Sequence, residues 1–418
     1  MYREITQCRI CGNQHLVEVL NLGTQYLTGV FPRSKETTLS CGPVQLVKCS
    51  GSNRDLHCGL VQMKHSFSAS EMYGETYGYR SGLNRGMVDH LHRKADQLMN
   101  RVRLGSDDLV LDIGSNDGTS LSRYPSRGPR LVGFDPSARK FRHYYRSDIE
   151  LHIDFFSAAA FRRIYGDRKA RIITSIAMFY DLEDPQGFAD DVAAILADDG
   201  IWHLEQSYLP AMLETNSYDT ACHEHLEYYA LRQIEWIASR AGLRVIDVER
   251  NGVNGGSFAV TLAKTAGKIS ANQPAIEELR TLEMETGLDS AEPFSDFRTR
   301  IQRSRDELHG LLSRLQKEGK VVAGYGASTK GNVLLQFCSL GPREIPFIAE
   351  VNEDKFGCFT PGTGIPIISE AEANARAPDY YLVLPWHFRE GIIRRELAFL
   401  KRGGRFIFPL PNVEVVQG

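Results

Sequence analysis

Short apolar runs alternate with helical stretches through the middle of the chain. From about Leu109 onward the clearest runs are LVLDI, LVGF, RIITS and GIWHL, which predict buried parallel strands with helices on both faces of a sheet. LRVIDVE and SFAVTLA follow, and the turn-rich NGVNGG between them predicts an antiparallel hairpin after Gly242. The middle of the chain is therefore predicted to be an α/β domain whose sheet ends in a hairpin.

A second α/β segment follows a charged, helix-periodic stretch between Ala271 and Lys320. VVAGYGASTKG opens this segment, and EIPFIAEV, DYYLVLP and GRFIFP predict further strands. The predicted units are an N-terminal module (1–66), an α/β domain (67–266) and a C-terminal α/β domain with leading linker helices (267–418). The apolar positions that repeat along the linker are Phe294, Phe297, Ile301, Leu308, Leu311, Leu312 and Leu315.

Length and charge narrow the class of protein. A chain of 418 residues is longer than one hydrophobic core usually serves, which fits several domains. The net charge of −3 gives no field that would attract nucleic acid, so a small ligand is expected. No apolar run approaches the roughly 18 residues of a membrane span, and MYREITQCRICG lacks the apolar core of a secretory signal. We expect a cytoplasmic protein without a membrane or nucleic-acid partner; the sequence leaves the oligomeric state open and is compatible with a monomer.

Five of the eight cysteines fall within the first 58 residues, which indicates a metal site in a reducing compartment. Cys8 and Cys11 form a CxxC knuckle, and Cys49 with Cys58 is the predicted second pair of a structural zinc site. The second pair is widely spaced, so Cys41 or His57 could replace one ligand. The alternative is a set of unrelated buried thiols, which such a short Gly-rich and polar segment has little core to hold.

A glycine turn follows the first predicted strand of the middle domain. Asp112, Gly114 and Gly118 lie in DIGSNDG, which resembles the DxGxxxG cofactor loop of class I S-adenosylmethionine-dependent methyltransferases with a Rossmann-like sheet. Asp135 ends the next strand, where a carboxylate can accept hydrogen bonds from both ribose hydroxyls. Asp154 in HIDFFS could meet the adenine edge. For both aspartates, a helix-capping or turn role is the structural alternative.

Four motifs along the chain carry a more specific resemblance. CRICG, TYGYRSGLNRGM, CHEHLEYYA and GYGASTKGN occur in this order, and together they resemble the sugar C-methyltransferase family over essentially the whole chain. Members of that family act on nucleotide-linked 4-keto deoxysugars. The resemblance implies S-adenosylmethionine and zinc as cofactors, a nucleotide-linked sugar as substrate, and methyl transfer to carbon through an enolate.

The resemblance also assigns roles to residues of the middle domain. His225 matches the base that removes the proton beside the ketone, a task suited to an imidazole. Glu224 would orient that base or bind a sugar hydroxyl. Tyr79, with Tyr77 as the alternate, matches the tyrosine that stabilises the enolate oxygen, whereas the structural alternative for either is an aromatic core residue.

Three positions leave questions open. Asp181 stands where family members often carry histidine, and Cys222 stands where they often carry tyrosine, so the site is altered. Asp181 could act as another base, bind another hydroxyl or indicate a different sugar. Glu205 lies at the end of the fifth predicted strand, where it could contact substrate or the sulfonium group, or could be a satisfied buried carboxylate.

The C-terminal loop GYGASTKG could hold a phosphate through Ser328 and Lys330. One rival function is therefore a nicotinamide-dependent oxidoreductase, with Glu350 near the ribose, although Thr329 replaces the third glycine of the usual motif. The family resemblance instead implies a non-catalytic clamp on the sugar nucleotide. A second rival is a zinc-ribbon binding protein with an inert methyltransferase fold, which the intact cofactor loop disfavours.

Overall fold

The N-terminal part of the chain forms small antiparallel sheets. The computed structural model describes residues 2–51, 56–68, 72 and 79–418. The second, third and fourth strands of the chain pair antiparallel in the larger sheet, and the first strand pairs antiparallel with the fifth in the smaller one. The five strands are β1 (Arg3–Glu4), β2 (Leu16–Tyr26), β3 (Cys41–Cys49), β4 (Val61–Met63) and β5 (His65–Ser66), of which β2, β3 and β4 form the larger sheet.

The middle of the chain is an α/β domain built as predicted. Its helices are α1 (Arg85–Arg101), α2 (Thr119–Ser122), α3 (Ala158–Tyr165), α4 (Pro185–Ile195), α5 (Leu209–Glu214) and α6 (Leu231–Arg240). Its strands are β6 (Leu109–Ile113), β7 (Arg130–Phe134), β8 (Ile149–His152), β9 (Ala170–Ile176), β10 (Leu196–Ser207), β11 (Glu227–Tyr228), β12 (Leu243–Asn251) and β13 (Ser257–Lys264).

Seven of these strands form one sheet in the order β12-β13-β10-β9-β6-β7-β8. The central strands run parallel, whereas β13 is antiparallel to both of its neighbours. The order reverses direction beside β6, and such a switch point leaves a crevice beyond the carboxyl ends of the strands. The predicted strands and the closing hairpin are therefore confirmed, and the topology is that of a class I methyltransferase.

The strand β11 belongs to a different sheet. It pairs antiparallel with β4, so the N-terminal sheet has the order β11-β4-β3-β2. Leu226 extends this pairing, because its carbonyl accepts a 2.8 Å hydrogen bond from the Met63 amide. A segment of the middle domain thus completes the sheet of the N-terminal module.

Two linker helices, α7 (Gln273–Thr286) and α8 (Glu292–Lys317), lead into the C-terminal domain. The seven periodic apolar residues of the linker are all buried, which confirms the predicted helix. A six-stranded sheet follows in the order β16-β15-β14-β17-β18-β19, parallel except for β19. Its elements are β14 (Val322–Tyr325), α9 (Thr329–Phe337), β15 (Ile348–Glu350), β16 (Ile367–Ser369), α10 (Glu370–Ala375), β17 (Tyr380–Val383), α11 (Arg389–Arg395), α12 (Leu397–Lys401), β18 (Arg405–Phe408) and β19 (Glu414–Gln417).

Apolar packing joins the three regions. One cluster of buried side chains contains Leu46 and Met63 of the N-terminal sheet, Leu226 beside β11, Phe297 of α8 and Leu334 of α9. Burying a side chain of this size stabilises a fold by about 1.5–3 kcal/mol, so the shared cluster holds the module, linker and C-terminal domain together. Within the described ranges, no helix is long and apolar enough to cross a membrane.

Candidate active site

Four cysteine sulfurs converge in the N-terminal module. The Sγ atoms of Cys8, Cys11, Cys49 and Cys58 all lie within 4.8 Å of one another. The Cys8–Cys58 and Cys11–Cys49 sulfurs are each 3.4 Å apart, close to the separation of about 3.8 Å expected around a tetrahedral ion with Zn–S bonds of about 2.3 Å. All four cysteines are free thiols. A closed set of four thiolates fits structural zinc, as the sequence predicts.

The knuckle has the geometry that a metal site needs. Gly12 adopts a left-handed φ of 71° and its amide donates to the Cys8 carbonyl at 2.9 Å, which makes the turn between the first two ligands tight. Asn13 donates to the Cys49 sulfur at 3.3 Å, which stabilises a thiolate. The two substitutes considered from sequence lie outside this group, since neither Cys41 nor His57 belongs to it.

The predicted cofactor loop lies at the switch point of the main sheet. Gly114 and Gly118 have φ values of 78° and 76°, which glycine adopts at little cost. A Cβ atom on Gly118 would lie 2.9 Å from the Tyr145 ring. Burial raises the pKa of Asp112 to about 7, although Thr174 donates a 2.5 Å hydrogen bond to its carboxylate. The loop therefore presents backbone and one buried carboxyl group to the crevice.

The two other predicted cofactor residues differ in environment. Asp135 is buried and accepts hydrogen bonds from the Asn116 amide at 2.8 Å and from both the amide and the hydroxyl of Ser137 at 2.7 Å. Each carboxylate oxygen has two lone pairs, so Asp135 keeps capacity for ribose hydroxyls. Asp154 is exposed after β8 and accepts a 2.8 Å hydrogen bond from the Phe155 amide.

The segment that carries Tyr79 is fastened to the cofactor loop. The Tyr79 carbonyl accepts a hydrogen bond from the Asn116 side chain at 3.2 Å, and the Gly82 amide donates to Asp117 at 2.9 Å. Tyr79 as a whole residue is 46% exposed, yet burial around its hydroxyl raises the pKa of that group. Its alternate, Tyr77, lies outside the described residues. The Tyr79 backbone is thus held beside the loop.

His225 occupies a turn between two domains. Its Nδ1 lies 2.8 Å from the Thr220 carbonyl, and its ring centroid lies 4.3 Å from that of Tyr180. Because a carbonyl only accepts, Nδ1 carries the proton in the neutral ring and Nε2 keeps its lone pair. Burial, reinforced by the Lys330 ammonium group, lowers the pKa of His225 to about 4. The imidazole is therefore neutral at physiological pH, with Nε2 able to accept a proton.

Acidic side chains surround this turn. Burial raises the pKa of Glu224 to about 7, and the Cys222 thiol lies 3.6 Å from its carboxylate. A Cβ atom on Gly29 would lie 2.5 Å from Glu224 Oε1, so the N-terminal module approaches this carboxyl group closely. Burial, with Glu224 and Asp181 as charged neighbours, raises the pKa of Cys222 well above its usual value. Asp181 is therefore part of the same cluster. His223 lies apart, 3.1 Å from the Gly42 carbonyl.

Glu205 forms part of a buried ionic network. Its carboxylate lies 2.6 Å from His90 Nε2, 2.9 Å from the Asn251 amide group and 3.3 Å from the Lys94 ammonium. Burial opposes ionisation, but these neighbours hold the pKa of Glu205 below its usual value. Glu205 thus ties α1 to the end of β10, and its contact with substrate stays a prediction.

The C-terminal loop turns its lysine toward the middle domain. Ser328 caps α9 by accepting a 3.0 Å hydrogen bond from the Gly331 amide. Lys330 Nζ donates to Thr220 Oγ1 at 3.0 Å and to the Asn254 carbonyl at 2.5 Å. Glu350, at the end of β15, accepts a 2.7 Å hydrogen bond from the Ala327 amide of this loop. The same arrangement joins Asp135 to the Asn116 amide at the cofactor loop.

A cavity of about 340 Å³ lies between the middle and C-terminal domains, next to Lys330 and its acceptor Asn254. Residues of α1, of the turn after β12 and of the segment at His387 form its walls. His90 and Lys94 of this lining pair with Glu205 and Glu249, and Arg93 adds an exposed positive charge that suits an anionic ligand. The residues that line it are Gly86, His90, Arg93, Lys94, Gln97, Glu249, Asn251, Gly252, Val253, Asn254, His387 and Phe388.

Comparison with known proteins agrees with this architecture. Family models match residues 8–73 as a zinc binding domain, 87–248 as a methyltransferase domain and 252–411 as a C-methyltransferase C-terminal domain. The C-methyltransferase NovU of Streptomyces niveus is 32% identical over 418 residues, which covers 99% of this chain and 98% of the relative.

Solved methyltransferase structures are similar to part of the chain at low identity. The 1,6-didemethyltoxoflavin-N1-methyltransferase of Burkholderia thailandensis is 11% identical with a TM-score of 0.33, covering 44% of this chain and 82% of that one. CcbJ of Streptomyces caelestis is 11% identical with a TM-score of 0.32, covering 42% and 89%.

The fold and the cofactor loop define a class I methyltransferase, which uses S-adenosylmethionine. The order of the three domains and the match to NovU then place the chain in one family: it belongs to the three-domain C-methyltransferases. It is an S-adenosylmethionine-dependent C-methyltransferase with a zinc-binding N-terminal module.

Proposed function

We propose that this enzyme methylates a carbon beside the ketone of a nucleotide-linked 4-keto deoxysugar through an enolate. The placement of His225 is the observation that carries this proposal. Its Nδ1–H is committed to the Thr220 carbonyl at 2.8 Å, so the neutral ring offers Nε2 as a base. A carbon acid next to a ketone needs such a base, whereas transfer to an already nucleophilic amine does not.

The chain's own groups supply the remaining requirements of that reaction. When bound, S-adenosylmethionine supplies an electrophilic methyl group on sulfur. His225 removes the proton from the carbon, and the electron pair of that C–H bond moves onto the carbonyl to give the enolate oxygen. In this proposal the Tyr79 hydroxyl donates to that oxygen. Glu224, with its pKa near 7, binds a sugar hydroxyl in either protonation state.

The proposed cofactor site is the loop that holds Asp112, Gly114 and Gly118. Asp112 would pair with the ammonium group of the methionine moiety, and Asp135 with the ribose hydroxyls. The exposed position of Asp154 supports a contact with the adenine edge only at the rim of the crevice. Glu205 has a positioning role in this proposal, because its carboxylate is already bonded to three side chains.

The interdomain cavity is the proposed binding site for the nucleotide part of the substrate. Arg93 is exposed on the face of α1 that lines the cavity, and Lys330 donates a hydrogen bond to the carbonyl of Asn254, another lining residue. We place the substrate diphosphate at this basic end, with the sugar directed toward His225. Asp181 and Cys222 would then contact the sugar and determine which deoxysugar is accepted, while Ser328 acts only by capping α9.

Mass spectrometry of a panel of nucleotide-linked 4-keto deoxysugars tests the proposal. The sugars are incubated with enzyme and S-adenosylmethionine, and H225N is compared with H309N, which changes a histidine of the linker helix α8. We expect a 14-dalton gain on one sugar with wild-type enzyme and H309N, and none with H225N, which still binds the cofactor. Turnover by H225N would overturn the assignment of the base, and a panel in which no sugar is methylated would overturn the substrate class.

A further inference from the structure

An arginine inside the zinc knuckle reaches toward the proposed catalytic turn. Arg9 lies between the ligands Cys8 and Cys11, yet its side chain is only 3% exposed. Its guanidinium group donates to the Met63 carbonyl and to the Ser66 hydroxyl, both at 2.7 Å. Zinc ligands on either side fix the backbone from which this side chain extends.

The guanidinium group faces a buried carboxylate beside His225. Arg9 Nε lies 3.6 Å from Oε1 of Glu227, whose side chain is fully buried. Burial raises the pKa of Glu227 well above its usual value, and the Arg9 charge opposes that rise. Glu227 is two residues beyond His225 and begins β11. The Arg9–Glu227 contact therefore connects the knuckle to the strand that follows the proposed base.

The backbone gives a second connection between the same two places. Glu227 is opposite Gln62 in the β4–β11 pairing, and the Gln62 side chain accepts a 3.1 Å hydrogen bond from the Arg9 amide. The carbonyl of the zinc ligand Cys58 accepts a 2.7 Å hydrogen bond from Gln233 in α6, which follows β11. The chain that follows the catalytic turn is thus hydrogen-bonded to the zinc module.

We propose that Arg9 is a positioning residue for His225, and that the zinc module aligns the base through the Arg9–Glu227 contact and the β4–β11 pairing. This inference rests on the proposed role of His225. It differs from a purely structural role, because it predicts a loss of turnover in a protein that stays folded, zinc-loaded and able to bind cofactor. A metal site that served only to stabilise the module would loosen β2 and β3 together with the turn.

The test compares R9Q and R9K with R3Q. Arg3 is a matched control in the same module, because it is 73% exposed and pairs with Glu183, which Arg9 also approaches. We expect R9Q to keep its zinc and to bind S-adenosylmethionine within about twofold of wild type. Its kcat should fall at least tenfold with little change in KM, whereas R3Q should match wild type and R9K should recover part of the loss.

Hydrogen–deuterium exchange gives a readout that does not depend on any substrate. R9Q should exchange faster across residues 225–228 and unchanged both across 112–118 and across the β2–β3 pairing of the module. A general destabilisation of the module would speed exchange across β2 and β3 as well. If R9Q does not fold, R9K is compared with R3Q in the same experiment. Exchange at 225–228 that is the same in R9Q, R3Q and wild type would overturn the inference. If no sugar were methylated, the proposed function would be contradicted. The exchange measurement would still test whether Arg9 positions the turn that carries His225.

Discussion

Lys330 and His225 meet at a single residue, Thr220. The lysine ammonium donates to the Thr220 hydroxyl at 3.0 Å, and Nδ1 of His225 donates to the Thr220 carbonyl at 2.8 Å. The two residues come from different domains. Their shared partner places a positive charge near the proposed base, and this charge contributes to the low pKa of His225.

Replacing Lys330 with methionine should therefore raise the pKa of His225. A nearby cation disfavours the imidazolium form, so its removal moves the pKa from about 4 toward the ordinary value. The acid limb of the kcat/KM profile should shift to higher pH. K317M, which changes an exposed lysine at the end of α8, is the control. An acid limb unchanged in K330M would show that the charge does not act on the base.

The four-cysteine cluster predicts a metal-dependent module. The double variant C8S/C11S removes two of the four ligands and should lower the zinc content from about one equivalent to near zero. Elemental analysis measures this directly, and the melting temperature should fall with it. C41S changes an exposed cysteine outside the cluster and should retain the metal. Full zinc content in C8S/C11S would contradict the ligand assignment.

Gly118 should tolerate no larger side chain. Its φ of 76° costs a non-glycine residue about 1–2 kcal/mol, and a Cβ atom would also contact the Tyr145 ring at 2.9 Å. G118V should raise the Kd for S-adenosylmethionine at least about tenfold by calorimetry, since tenfold corresponds to about 1.4 kcal/mol. G310A, at an open helical position, is the control. Normal affinity in G118V would place the cofactor elsewhere.

Cofactor binding should depend on pH through Asp112. Its pKa is about 7, and only the ionised carboxylate pairs with an ammonium group. As pH falls through that value, the carboxylate becomes protonated, so the affinity for S-adenosylmethionine should decrease by up to about tenfold per pH unit. In D112N the affinity should be low and the dependence absent. If the affinity of the wild-type enzyme for S-adenosylmethionine did not change between pH 8 and 5.5, this pairing would be ruled out.

The sequence predicted the layers of this molecule better than the contacts between them. Runs such as LVLDI and the periodic apolar residues of α8 carry their structure in local pattern, and both formed as expected. The strand β11 is only two residues long and pairs with β4 more than 160 positions earlier, so neither periodicity nor turn residues could indicate it. The four cysteines were predictable because their chemistry requires them to meet.

Among the site residues, too, local motifs could be predicted from the sequence and tertiary contacts could not. Asp112 and Gly118 stand in a local motif whose spacing indicates a cofactor loop, and the structure forms that loop. The partners of Lys330 and Glu205 are set by tertiary packing. A lysine at the start of a helix predicts a phosphate contact, whereas its hydrogen bond to Thr220 could not be predicted from the sequence. Thr220 and Asn254 carry no distinctive motif, and sequence reasoning missed both.

Proton exchange beside the ketone tests the central claim most directly. Enzyme and a nucleotide-linked 4-keto deoxysugar that it methylates are incubated in deuterated water with S-adenosylhomocysteine, which has no methyl group to transfer, and proton NMR follows the carbon beside the ketone. The account predicts deuterium uptake with wild-type enzyme and H309N, and none above background with H225N. Equal uptake with H225N, or methylation by wild type at a carbon that never exchanges, would contradict His225 as the base of an enolate mechanism.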